Sequence, residues 1–337
     1  MTELLLAHSP DPDDVFMWWP ITGMIDPPRD AQAIEPARVI SKPVLDTGRF
    51  IFTPIAADIA ALNRRAAVQG DLDITALSMF AWAHVREKYQ LTCFGSSMGY
   101  GYGPKIVGRV AAVSKVASPV CYIDEPALRR TGLGALSEPD ALIAVPGTKT
   151  TAFLLLSLML GDSAAKVRHI EMPFDHILEA VASGERGVTH GLLIHQSQLT
   201  FADLGLEMLA DVGAWWLEQT GLPLPLGGNA VRRDLDSRFG AGATREVVGL
   251  LDRSIRFAIA HREQSLQYCM RFAPELDRRQ AERYIEMYVN DLTVDAGADG
   301  RMAIQMLLDR AAAASLCPSP GTVELLRPAM SMPPQQS

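Results

Sequence analysis

No uninterrupted apolar run in this chain approaches the ~20 residues that a membrane-spanning helix needs, which argues against a membrane protein. The first residues, Met1-Thr-Glu-Leu-Leu-Leu-Ala-His8, lack a basic segment and a full apolar core, so no secretory signal is read there. Cysteine is scarce: Cys93, Cys121, Cys269 and Cys317 stand far apart without metal spacing, and are expected to be reduced thiols of a cytoplasmic protein. The seven histidines form no HxH or HExxH pair, so no metal site is expected. Positive charge is also lacking. A net charge of −8 argues against nonspecific binding to nucleic acid or to an anionic membrane. Internal repeats are absent. Oligomeric state is not legible.

What remains is an ordinary globular composition, 48% hydrophobic and 21% charged, over 337 residues, enough for two domains. The most informative stretch is Gly191-Leu-Leu-Ile-His195-Gln-Ser-Gln-Leu199. Leu192 to Ile194 reads as a short buried strand ending on His195. In an open α/β sheet, ligands bind at that edge. The histidine there is either a satisfied residue at a strand end or a proton carrier near neutral pH.

Earlier in the chain, Leu4 to Ala7 reads as a first strand. The loop Ser9-Pro10-Asp11-Pro12-Asp13-Asp14 follows it, and its prolines force a turn. Asp13 or Asp14 is expected to cap a helix. Ser9 and Asp13 are candidates for lining a cleft at the carboxyl end of the strand. Residues 26–49 read as an irregular excursion and Ile51 to Val68 as a helix. Asp71 to Ser78 reads as a strand that gives way to a helix at Ser78. Glycines 95, 99, 101 and 103 have no strand–GxGxxG–helix context, so no nucleotide loop is assigned and no cofactor is expected. They lead into a strand over Ile106 to Val113, and residues 117–140 read as a loop-rich insertion.

Ala141 to Val145 reads as a buried strand, followed by Pro146-Gly147-Thr148-Lys149-Thr150-Thr151 and a helix. This glycine turn aims free N–H groups and hydroxyls of Thr150 and Thr151 outward, which suits a carboxylate or phosphate; simple threonine capping is the plainer alternative. Strand, helix, strand, helix and strand through Ile194 make a parallel α/β unit. Leu222-Pro-Leu-Pro-Leu-Gly227-Gly228-Asn229 is expected to be irregular, with Gly228 and Asn229 in a hinge or a cleft wall. From Thr244 the chain reads as three amphipathic helices without catalytic spacing, and from Pro318 as a frayed tail.

Several blocks occur together and in order: Ser9-Pro-Asp-Pro-Asp-Asp14, Val145-Pro-Gly-Thr-Lys-Thr-Thr151, Leu193-Ile-His195-Gln-Ser-Gln, Gly213-Ala-Trp-Trp216 through Thr220-Gly-Leu-Pro-Leu-Pro-Leu-Gly227, and Arg232-Arg-Asp-Leu235. Together they resemble the 1,4-dihydroxy-6-naphthoate synthase family of menaquinone biosynthesis. The resemblance implies a type II periplasmic-binding-protein-like fold, two α/β lobes joined by two crossovers around a cleft. The first lobe is then expected over 1–107 and 228–330, the second over 108–227, with 331–337 as a tail. It implies a carbon–carbon lyase acting on cyclic dehypoxanthine futalosine, a small-molecule carboxylate, with no cofactor. It makes His195 the proton-abstracting base and places substrate contacts at Ala76, Leu77 and Ser78 and at Thr151 and Ala152. Family members usually show His-Glu where this chain has His195-Gln196, and asparagine where it has Asp13. On a continuing strand residue 196 would face away from His195. The other readings are a two-lobed carboxylate-binding protein without catalysis and a related lyase on another carboxylate.

Overall fold

The computed structural model describes residues 1–109 and 133–329 and has two mixed β-sheets, each flanked by helices. In chain order the strands are β1 (Thr2–His8), β2 (Phe50–Ala56), β3 (Ile74–Ser78), β4 (Tyr89–Leu91), β5 (Ser97–Gly99), β6 (Lys105–Arg109), β7 (Ile143–Val145), β8 (His169–Glu171), β9 (His190–Leu193), β10 (Leu206–Asp211) and β11 (Leu224–Arg232). The first sheet runs β2-β1-β3-β11-β4, with β5 also paired to β11, and the second runs β10-β6-β9-β7-β8. The chain passes from the first sheet to the second between β5 and β6, and returns just before β11. This is the two-lobed α/β architecture that the family resemblance implies.

In the first sheet β1 lies parallel to both β2 and β3, and each of the three feeds a helix: α1 (Pro12–Thr22), α2 (Ile59–Val68) and α3 (Met79–Val85). In the second, α4 (Thr151–Leu160) follows β7, α5 (Phe174–Ser183) follows β8 and α6 (Val212–Thr220) follows β10. The C-terminal helices are α7 (Ala243–Ala260), α8 (Arg262–Cys269), α9 (Arg278–Tyr288) and α10 (Gly297–Ala313). Helices α7 to α9 bury Val247, Leu251 and Tyr284 in one core with Leu4, Phe16 and Trp19. Trp19 Nε1 donates to the buried Ser265 Oγ (3.0 Å), which satisfies the polar end of a large core residue. On the other face α10 places Ile304 and Leu307 in a core with Trp82 and Leu77.

Four expectations from the sequence need correction. Residues 51–56 belong to β2, and the helix begins only at Ile59. Aromatic and β-branched residues favour the strand, and Pro54 is tolerated because β2 is an edge. Residues 224–229, expected to be irregular, lie in β11, in the interior of the first sheet. Pro225 sits where β11 meets the short β5, and the register shifts between Pro225 and Gly227, so the missing N–H is absorbed at an irregularity. The segment after Pro318 is tied down as far as it is described. Leu326 N–H donates to Leu91 O (2.8 Å), Cys93 N–H donates to Leu326 O (2.9 Å), and Val323 is buried. The N-cap of α1 is Asp11 rather than Asp13 or Asp14, and its side chain makes no capping bond.

Residues 26–49 are irregular apart from a bridge between Ile25 and Val39. The readings for 110–113, for most of 117–140 and for the 331–337 tail fall on residues outside those described. Residues 133–137 form a 3-10 turn.

Candidate active site

The helices α1, α2, α3 and α4 all begin beside one cleft, so their positive dipole ends converge there. The cleft measures about 680 Å³ with its open mouth included and draws its walls from both sheets. From the first come the loop after β1, the end of β3, Ser97 of β5 and Gly227 and Gly228 of β11. From the second come Thr150 to Ala152, Ile194 and His195.

His195 is placed by a tight turn. β9 ends at Leu193, and His195 adopts φ 57°, the left-handed region that few non-glycine residues occupy. The strand therefore does not continue through residue 196, and Gln196 lies in the same turn; its Oε1 is buried without a partner. His195 Nδ1 lies 2.7 Å from Asp11 Oδ2. That oxygen also accepts from Ser9 Oγ (2.6 Å). His195 Nε2 is buried with no hydrogen-bond partner and the Phe174 ring packs edge-on at 4.6 Å, so the imidazole is oriented by one nitrogen and unpaired at the other. Burial works to lower the pKa of His195. The Asp11 carboxylate and its hydrogen bond, then Asp13 and Asp58, outweigh burial and hold it above the ordinary value.

Two more carboxylates stand in the same wall. Asp13 Oδ2 accepts from Ser97 Oγ (2.7 Å) and Oδ1 from Tyr284 OH (3.3 Å). Asp14 Oδ2 accepts from Ser9 N–H (2.9 Å). Burial, then Asp11, raises Asp13; burial, then Asp13 and Asp11, pushes Asp14 up to about 8. Facing them, Thr150 caps α4 by accepting from Phe153 N–H (3.2 Å). The N–H groups of Thr151 and Ala152 at that helix end have no partner within the helix. Thr151 Oγ1 accepts from Phe80 N–H (3.3 Å), which ties α4 to α3 across the two sheets. Ser78 is held by Asn63, whose Nδ2 donates to Ser78 Oγ (3.0 Å) and whose Oδ1 accepts from Ser78 N–H (3.1 Å). Gly228 lies close against Met79, since a Cβ there would meet Met79 Cε at 2.8 Å and the methionine end would have to shift.

Of the residues singled out in the sequence, Ser9, Asp13, Ala76, Leu77, Ser78, Thr150, Thr151, Ala152, His195 and Gly228 meet in this cleft. Asn229 does not reach it; its Nδ2 donates to Gly95 O (2.7 Å) behind the wall. Sequence reasoning missed Asp11 as the partner of His195, and Tyr284 and Tyr288 of α9. Those tyrosines stand four apart on one helix face, and Tyr288 OH is in reach of Gln198 Nε2 (3.2 Å). The i,i+4 spacing was visible, but its direction toward the cleft was not. None of the residues lining the cleft is Lys or Arg. Among the described residues no group of three or more His, Cys, Asp or Glu could hold a metal ion. No helix among them is long and apolar enough to cross a membrane.

Comparison with known proteins bears on this geometry. The model of a family described as menaquinone biosynthesis matches residues 4–313. A 1,4-dihydroxy-6-naphthoate synthase of Thermus thermophilus is 35% identical over 322 residues, covering 95% of this chain and 98% of that protein. A crystal structure of a protein from Archaeoglobus fulgidus, 34% identical, superposes with a TM-score of 0.72 over 93% of this chain and 98% of the other. The alkanesulfonate-binding protein of Xanthomonas axonopodis, 15% identical, superposes with a TM-score of 0.59 over 96% of each chain and shares the fold alone.

Proposed function

We infer the function from one premise: the chain belongs to the menaquinone-biosynthesis family, whose model spans nearly all of it. It is an enzyme of that pathway that forms 1,4-dihydroxy-6-naphthoate, as its Thermus thermophilus relative is named to do. We assign it the lyase reaction in which cyclic dehypoxanthine futalosine loses its sugar-derived fragment and leaves the aromatic carboxylate. We place it in the cytosol. We place the lobe boundaries near 107/108 and 227/228; the sheet-two strands run from 105 to 211, so these points fall inside β6 and β11.

The observation that carries the mechanism is the His195–Asp11 pair. Asp11 accepts the Nδ1 proton, so the lone pair of neutral His195 is on Nε2, the nitrogen without a partner. We assign Nε2 the abstraction of a substrate proton. The imidazolium that forms is stabilised by the carboxylate 2.7 Å away. Ring aromatisation by carbon–carbon cleavage asks for such a base and for fixed donors. The N–H groups of Thr151 and Ala152 and the hydroxyls of Ser78 and Thr151 are suited to hold the substrate carboxylate and its oxygens.

The test is to mix the purified protein with cyclic dehypoxanthine futalosine, without added metal or cofactor, and follow products by mass spectrometry. Wild type is expected to release 1,4-dihydroxy-6-naphthoate. His195→Ala is expected to bind the substrate and turn it over at least ~10²-fold more slowly. Unchanged turnover by His195→Ala would remove the base assignment. Binding by wild type without any product would favour a carboxylate-binding protein.

A further inference from the structure

Asp11, Asp13 and Asp14 are only 3%, 4% and 7% exposed, and they share one cleft wall. That wall contains no Lys or Arg. Asp11 has His195 as its counter-charge. Asp13 and Asp14 are held by neutral donors alone, the hydroxyls of Ser97 and Tyr284 and the N–H of Ser9. The N-terminus of α1 favours negative charge there, but only weakly compared with the repulsion that would arise if three buried neighbouring carboxyls were all ionised.

The groups that face this pair come from every side. On the same segment are His8 and Asp11. Asp58 lies at the start of α2, His195 in the turn after β9, Cys269 on α8, and Tyr284 and Tyr288 on α9. Burial pushes His8 down to about 4, so it carries no charge near neutral pH. Burial pushes Cys269 up to about 12 and raises both tyrosines, so these stay neutral as well. Asp58 is a further carboxylate, which leaves His195, held above its ordinary value, as the group among these best able to take positive charge.

A carboxylate ligand adds another negative charge to this wall. We propose that the Asp13–Asp14 pair takes up a proton when a carboxylate ligand enters the cleft, so that anion and proton bind together. The proposal rests on the carboxylate reading of the cleft given above. It also supplies a donor. A protonated Asp13 gives its hydrogen to Ser97 Oγ or to Tyr284 OH. The hydroxyl that receives it then turns its own hydrogen toward the ligand, and both residues line the cleft.

The experiment is calorimetric titration with 2-naphthoate, a stable aromatic carboxylate, at pH 7.5 and 8.5 in buffers of different ionisation enthalpy. For wild type the apparent binding enthalpy is expected to rise with the buffer's ionisation enthalpy, with a slope of up to about one proton taken up per ligand. Affinity is expected to fall by up to about tenfold per pH unit at the alkaline end. In Asp13→Asn/Asp14→Asn the slope is expected to fall toward zero and the affinity to lose its pH dependence. A zero slope in wild type overturns the proposal with no variant needed. A slope that persists in the double variant also overturns it, since the proton is then taken by another group. If turnover is seen by mass spectrometry but the slope is zero, only the proton uptake is lost. If 2-naphthoate does not bind at all, the carboxylate cleft and the proton uptake fall together.

Discussion

His195 and Asp11 meet across the cleft, Nδ1 of the one 2.7 Å from Oδ2 of the other, although they lie on turns that belong to different sheets. The contact is therefore made only when the two lobes stand in this arrangement. It also explains a left-handed φ at His195, since the turn aims the ring back toward the first sheet.

Replacing Asp11 with asparagine keeps the shape and inverts the hydrogen bond. The amide can donate to Nδ1, which puts the imidazole proton on Nε2, where the base must be free. Turnover is expected to fall by roughly 10²- to 10⁴-fold, with KM changed far less. Asp11 also raises the pKa of His195, and a neutral base gains activity as pH rises through that pKa. In Asp11→Asn the ascending limb of the kcat profile is expected at lower pH, below a reduced plateau. A limb that stays in place would show that Asp11 does not set the histidine.

Asp14 predicts how stability depends on pH. Its carboxyl is pushed up to about 8 in the folded protein, against roughly 3.9 in an unfolded chain. The folded state therefore holds the extra proton between those values, and stability falls as pH rises through that window. His8, pushed down to about 4, acts oppositely below its ordinary value, with stability lost as pH falls. Above about 6.5 only the decline remains, and the raised His195 adds to it. Urea midpoints are expected to decrease from pH 6.5 to 8.5 in wild type. Asp14→Asn should decline less steeply, by up to about 1.4 kcal/mol per pH unit. Equal slopes would show that Asp14 titrates normally.

The crossover between the sheets is closed by a glycine contact. A Cβ on Gly213 would lie 2.1 Å from the Tyr102 carbonyl carbon and 2.3 Å from its oxygen, and backbone cannot step aside as a side chain can. Gly213→Ala is expected to cost about 1–3 kcal/mol and to lower the thermal midpoint. Gly249, inside α7 with nothing near its missing Cβ, is the control. Gly249→Ala should be neutral or stabilising by up to about 1 kcal/mol. Equal midpoints for wild type and Gly213→Ala would mean that the crossover moves freely.

The strand-to-helix junctions were legible in the sequence, because they are written locally. An apolar run followed by Ser9-Pro-Asp-Pro, by Ser78 or by Pro146-Gly-Thr fixes a turn and a helix start whatever surrounds it. His195 was legible for the same reason, at the end of its strand. The ordered blocks that carry the family resemblance were also in the sequence, and with them the two-lobed fold. Tertiary structure decided the rest. Pro225 was read as forbidding a strand, yet a short neighbour and a register shift let β11 run through it. Residues 51–56 look helical until β1 supplies a partner along their whole length. Asp11 could be told from Asp13 and Asp14 only when the second sheet brought His195 to it. The perturbed acidity of these carboxylates is likewise invisible in one dimension. It arises from burial and from neighbours distant in sequence, and both depend on how the lobes close around the cleft.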